Sequence, residues 1–173
     1  MIIIYGGSFD PPHKSHVALL QRALADNPGA KAFVVPAFKN PLKEKHEVSS
    51  DDRFVMCQRA FPFAVVDDIE QDLLRAGRTT FTFDVVSAYA GFYPDDEIRF
   101  LVGSDCVHEF PLWSRMQELK AIPRFKFMVY DRADGISSTY IRRALVLGAN
   151  LKDEVPERVM EYIKERGLYY SRA

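Results

Sequence analysis

The chain has 173 residues, of which 47% are hydrophobic and 27% charged, and its formal net charge is -1. That length supports one domain with a sizeable core, and the near-balanced charge argues against a surface that tracks a nucleic-acid backbone, which is normally strongly basic. No run approaches the roughly 18 apolar residues of a membrane span, the opening apolar run lacks the basic leader and length of a signal peptide, and Cys57 and Cys106 fall in no disulfide framework, so a cytoplasmic domain with reduced thiols is expected.

Helical patterns alternate with short apolar runs from end to end, which predicts parallel β/α units and an α/β fold. Met1-Ile2-Ile3-Ile4-Tyr5 reads as a buried strand that stops at Gly6-Gly7. Asp10 as N-cap, Pro11 and Pro12 in a first turn, and Val17, Leu20 and Leu24 on one face predict the helix that follows. Strand, glycine turn and helix start make a cradle for phosphate, because the free N–H groups favour an anion and the glycines let it approach the backbone. His13 and His16, three residues apart, project from one face near that positive end and would meet the same ligand. Solvated surface histidines are the competing reading. A zinc site is the weaker account, since His46 and His108 stand isolated and no Cys-x-x-Cys pair exists.

Ala32 to Pro36 reads as a second buried strand, followed by a long polar loop from Ala37 to Ser50 that carries Lys39, Lys43, Lys45 and His46. Ser49-Ser50-Asp51-Asp52 predicts a capped helix with Phe54, Val55 and Ala60 among its apolar positions, and Phe63 to Val66 a third strand. The acidic run Asp67 to Asp72 reads as a solvated edge, because its spacing picks out no ligand pair. The stretch from Arg78 to about Gly91 forms another helix. Ile98 to Val102 is a strand ending in Gly103-Ser104-Asp105, where open α/β sheets bind ligands. Trp113, between Pro111 and polar residues, is expected to be partly exposed. Phe125 to Tyr130 is the last strand, and Ile136-Ser137-Ser138-Thr139-Tyr140-Ile141-Arg142 starts a hydroxyl-capped helix that offers a second anion site.

The run Gly6-Gly7-Ser8-Phe9-Asp10-Pro11-Pro12-His13-Lys14-Ser15-His16 is similar to the signature of the HxGH nucleotidyltransferases, and most like that of the bacterial nicotinate-nucleotide adenylyltransferases. Ser15 stands where that family usually has glycine. Phe81-Thr82-Phe83-Asp84, Leu112-Trp113-Ser114-Arg115, Ile136 to Arg142 and the closing Val155 to Tyr169 match further family segments, so the resemblance spans the chain. It implies a three-layer α/β/α Rossmann-like fold with a central, mostly parallel sheet of about five strands. It implies adenylyl transfer from ATP to nicotinate mononucleotide, with Mg²⁺ accompanying the triphosphate. By the resemblance, His13, His16, Lys43 and Arg142 are catalytic. ATP would lie against Gly7, Ser8, Phe9, Gly103, Asp105, Ile136, Ser138 and Thr139, and the acceptor against Thr82, Phe83, Asp105 and Trp113.

The segment from Asp131 to Ile136 is shorter than in the nicotinate enzymes, which bears on the acceptor side and on oligomer contacts. The alternatives are a nicotinamide-mononucleotide adenylyltransferase, a cytidylyltransferase with a related Ile-Ser-Thr-Thr motif, and a nucleotide-binding regulatory module without turnover. A phosphopantetheine adenylyltransferase would usually carry threonine in place of His13. The expected partners are small molecules, with neither nucleic acid nor membrane.

Overall fold

The computed structural model describes residues 1–38, 47–78, 80–131 and 135–170. Strands β1 (Ile2–Gly7), β2 (Lys31–Pro36), β3 (Val65–Val66), β4 (Ile98–Gly103) and β5 (Phe125–Tyr130) pair in parallel in the order β3-β2-β1-β4-β5. Between and after them run helices α1 (Lys14–Asp26), α2 (Ser50–Ala60), α3 (Ile69–Arg75), α4 (Thr82–Phe92), α5 (Met116–Ala121), α6 (Ser138–Val146) and α7 (Glu157–Arg166), with a 3₁₀ segment at Ser104–Leu112.

The central strands are largely apolar because both sheet faces are covered. Alternate side chains divide between two cores. Ile3, Tyr5, Val34 and Leu101 pack with Leu20 of α1, Met56 of α2, Ile141 of α6 and Ile163 of α7. Ile2, Ile4, Phe33 and Phe100 pack with Leu73 of α3, Val86 of α4 and Leu119 of α5. Helices therefore lie on both faces, which is the three-layer Rossmann-like arrangement. The chain winds outward from β1 to β3 and then returns to build β4 and β5 on the other side. Such a reversal leaves a crevice beyond the carboxyl ends of the two strands that flank it, here β1 and β4. Gly6 is required at that end: a Cβ there would lie 2.6 Å from Cζ of Phe100 on β4.

Several elements differ from the sequence reading. Helix α1 begins at Lys14 with His13 as its N-cap, so Asp10, Pro11 and Pro12 precede it, and the Asp10–Pro11 peptide is cis. Asp10 does not cap because its carboxylate is taken by the hydroxyl of Tyr169 and the N–H of Glu47. The inner face of α2 is Arg53, Met56, Cys57 and Ala60, whereas Phe54 and Val55 are only half-buried. Strand β3 is cut to two residues. The acidic run is not a solvated edge, since Glu70 is buried and Asp67 accepts hydrogen bonds from the Tyr89 hydroxyl and the Ile69 N–H. No helix among the described residues is long and apolar enough to cross a membrane.

Candidate active site

The turn after β1 curls around Phe9. Its φ is 46°, and its ring points inward to meet Tyr5, His16 and Phe61 at centroid distances of 5.3, 5.1 and 5.6 Å. A Cβ on Gly7 would stand 3.1 Å from that ring. The Phe9 side chain is therefore spent on the core, and only its backbone is left to face a nucleotide.

His13 and His16 come together as the pattern predicted, but by stacking. Their ring centroids are 3.6 Å apart with 30° between planes, and Nδ1 of His16 accepts the backbone N–H of His13 at 3.2 Å. With Nδ1 accepting, the proton of a neutral His16 ring sits on Nε2, which makes Nε2 a hydrogen-bond donor.

The start of α6 meets this turn directly. The Ser138 hydroxyl donates to the Pro11 carbonyl at 2.9 Å, and Arg142 donates Nη1 to the Asp10 carbonyl at 2.7 Å and Nη2 to Oγ1 of Thr139 at 3.3 Å. Ser137 caps α6 by accepting the Tyr140 N–H. Half-buried Ile136 packs on the core beneath. Two segments more than a hundred residues apart in sequence, each read as an anion site, thus share one edge of the sheet.

Gly103 ends β4 at that same edge, and exposed Asp105 lies in the first turn of the 3₁₀ segment. Helix α4 starts with Thr82 and Phe83 in its first turn, while Asp84 accepts the N–H of the N-cap Phe81 at 3.1 Å. Trp113 is half-buried, edge-on to Phe100 and tilted against Phe110 at 5.1 Å. Lys43, like Lys39 and Lys45, lies outside the described residues.

Several participants have no local signature in the sequence. Arg53, 1% exposed, donates to the carbonyls of Ser8 at 2.8 Å and Phe38 at 3.2 Å, so it ties the turn after β1 to the one after β2. Burial pulls its guanidinium below the ordinary range, and the opposing charge of Asp10 resists this. Tyr169 donates to Oδ1 of Asp10 at 2.7 Å, and burial beside that carboxylate pushes its phenol well up. Arg115 lies over the Phe83 ring at 3.7 Å and pairs with Asp84 and Glu118 beside the start of α4. Burial lifts the Glu70 carboxyl to about 7, against the Phe38 N–H and the Arg53 charge.

Residues 4–144 match the cytidylyltransferase-like family. The chain belongs to that family. Membership sets the class of activity as nucleotidyl transfer. The cytidylyltransferase-like fold is shared with solved structures of low identity. One, from Vibrio parahaemolyticus, is provisionally designated a nicotinate-nucleotide adenylyltransferase; it has a TM-score of 0.73 and 23% identity over 99% of this chain and 96% of that one. Another is the nicotinic acid mononucleotide adenylyltransferase of Plasmodium falciparum in complex with NaAD, with a TM-score of 0.77 and 20% identity over 97% and 96% of the two chains. The same enzyme in complex with APC superposes with a TM-score of 0.73.

Proposed function

We propose that the chain transfers the adenylyl group of ATP to nicotinate mononucleotide, giving nicotinate adenine dinucleotide and pyrophosphate. The observation that carries this reading is the direct joining of the two anion-binding segments, through Ser138 to the Pro11 carbonyl and Arg142 to the Asp10 carbonyl.

In this reaction a 5′-phosphate oxygen of the mononucleotide bonds to the α-phosphorus of ATP as the bond to the bridging β-phosphate oxygen breaks. Alignment and neutralisation of phosphate charge supply most of the acceleration in such transfers, so no protein nucleophile is needed. His16 would present Nε2–H to the phosphate on which charge develops, with His13 stacked behind it. Arg142, Thr139 and the first N–H groups of α6 would hold the triphosphate, and Lys43 would reach it from the polar loop. Gly7, Ser8 and the Phe9 backbone would line its path, with Gly103 and Asp105 on the nucleoside side. Mg²⁺ would arrive with ATP, held by phosphate oxygens and water. Among the described residues no group of three or more His, Cys, Asp or Glu side chains could hold a metal ion.

On the acceptor side, the N–H groups of Thr82 and Phe83 would favour a carboxylate, and Trp113 would offer a ring face to the pyridine. The test is to incubate the purified protein with ATP or CTP against a panel of mononucleotide acceptors, following pyrophosphate release and product mass. Release with ATP and nicotinate mononucleotide is expected. Use of CTP in its place would make the chain a cytidylyltransferase, and nucleotide binding without turnover would make it a regulatory module.

A further inference from the structure

Two buried side chains of opposite charge bracket the peptide groups of Phe38. Glu70 of α3, 8% exposed, accepts the Phe38 N–H through Oε2 at 2.7 Å. Arg53 of α2 donates Nη2 to the Phe38 carbonyl and Nη1 to the Ser8 carbonyl. The Glu70 carboxylate also takes the hydroxyl of Thr80, which immediately precedes the N-cap of α4. A continuous polar path therefore runs from the Ser8 turn, through Arg53, Phe38 and Glu70, to the start of the helix that would receive the acceptor. Neither Arg53 nor Glu70 belongs to the set facing the phosphates, and burying opposite charges is a poor way to gain stability.

We propose that Glu70, acting with Arg53, is a positioning residue that holds the nucleotide-side turn in register with the acceptor-side start of α4. The proposal rests on the reading of the site as an adenylyltransferase. The ionised carboxylate is the working form. It satisfies both Phe38 and Thr80 and faces the Arg53 charge, whereas protonation removes that charge and occupies one oxygen. Burial places its titration at about 7. The other groups in reach are Asp68, which lines the same small cavity, and Asp10, Cys57 and Tyr169 around Arg53.

The test uses the full chain and Glu70→Gln. In the wild type, the NMR shift of the Phe38 amide should titrate with a midpoint near 7, and in the variant it should not. Turnover of Glu70→Gln near pH 8 should fall by about tenfold to a hundredfold, with both Michaelis constants changed by less than about threefold. The wild-type fall in turnover through neutral pH should flatten in the variant, so that phosphate titration of the substrate, common to both proteins, is separated from that of Glu70. A Phe38 amide that does not titrate in the wild type overturns the proposal, and so does a variant with wild-type turnover and an unchanged pH profile. The amide measurement needs no substrate and stands even if the variant fails to fold. Failure of every acceptor to react would instead overturn the assigned reaction, which leaves the two outcomes distinguishable.

Discussion

The His13 ring lies on that of His16, centroids 3.6 Å apart, while the His13 backbone N–H holds Nδ1 of the same His16 ring. One residue thus fixes the other both by stacking and by tautomer. His16→Ala should lower turnover by about 10²–10⁴-fold, since it removes a positioned donor to developing phosphate charge. The loss of the contact at the helix start should cost about 1 kcal/mol of stability, to which the cavity left by the buried ring adds. Near-normal turnover in the folded variant would exclude His16 from the chemistry.

Arg142→Lys should be poorly tolerated. The guanidinium spans the Asp10 carbonyl and Thr139 while remaining available to phosphate, and an ammonium cannot reproduce a planar fork. An increased Michaelis constant for ATP together with reduced turnover is expected. If both match the wild type, Arg142 only ties α6 to the turn.

Nicotinate mononucleotide should be preferred to its amide in direct competition, because the N–H groups in the first turn of α4 reward a negative charge. Trp113→Ala should weaken both acceptors by a factor of order ten and leave their ratio nearly unchanged, as an aromatic contact is worth about 0.5–1.5 kcal/mol beyond burial. Preference for the amide would show that the acceptor pocket differs from the one proposed.

Gly6→Ala should destabilise the fold by about 1–3 kcal/mol, because the new methyl meets the Phe100 ring in a packed interior. Adding Phe100→Leu should recover part of that loss, which a thermal melt of the single and double variants will show. Additive losses would mean that the two positions do not compete for space.

Stability should carry the mark of Glu70. Its carboxyl is raised from 4.5 to about 7 in the folded chain, so between those values the folded state holds a proton that the unfolded state has released. Stability from this group is therefore lost as pH rises through that window. Glu70→Gln is neutral throughout, so its melting temperature should gain on the wild type between about pH 5 and about pH 8. Parallel melting curves would contradict the burial of an ionisable group there. A variant that gains stability while losing turnover is the expected exchange at a functional position.

Much of the fold was legible because it rests on local periodicity. The apolar runs at Ile2, Ala32, Ile98 and Phe125 each became strands, and the Ser49 and Ser137 caps fell where hydroxyls precede helical spacing. What was not legible depends on distant partners. Arg53 on an otherwise ordinary helix reads as surface, and only the carbonyls of Ser8, 45 residues away, and Phe38 make its burial tolerable. Asp10 looked like a cap because Asp before proline usually is one, and a competing hydroxyl from Tyr169 was invisible to any local window. Glu70 was hidden among five other residues of an acidic run, where charge density suggests solvent and says nothing about which carboxylate turns inward.

The bond from Tyr169 to Asp10 spans 159 positions, and Val159 and Ile163 of α7 complete the core beside it. On the ribosome β1 and the histidine turn emerge long before residue 169, so Asp10 cannot gain the phenol's bond until that residue has cleared the exit tunnel. Until then the Asp10 carboxylate lacks the phenol and keeps only the Glu47 N–H, and the turn whose carbonyls receive Ser138 and Arg142 is held from one side fewer. The brace from Tyr169 is thus among the late contacts of this fold, made only once residue 169 has joined the rest.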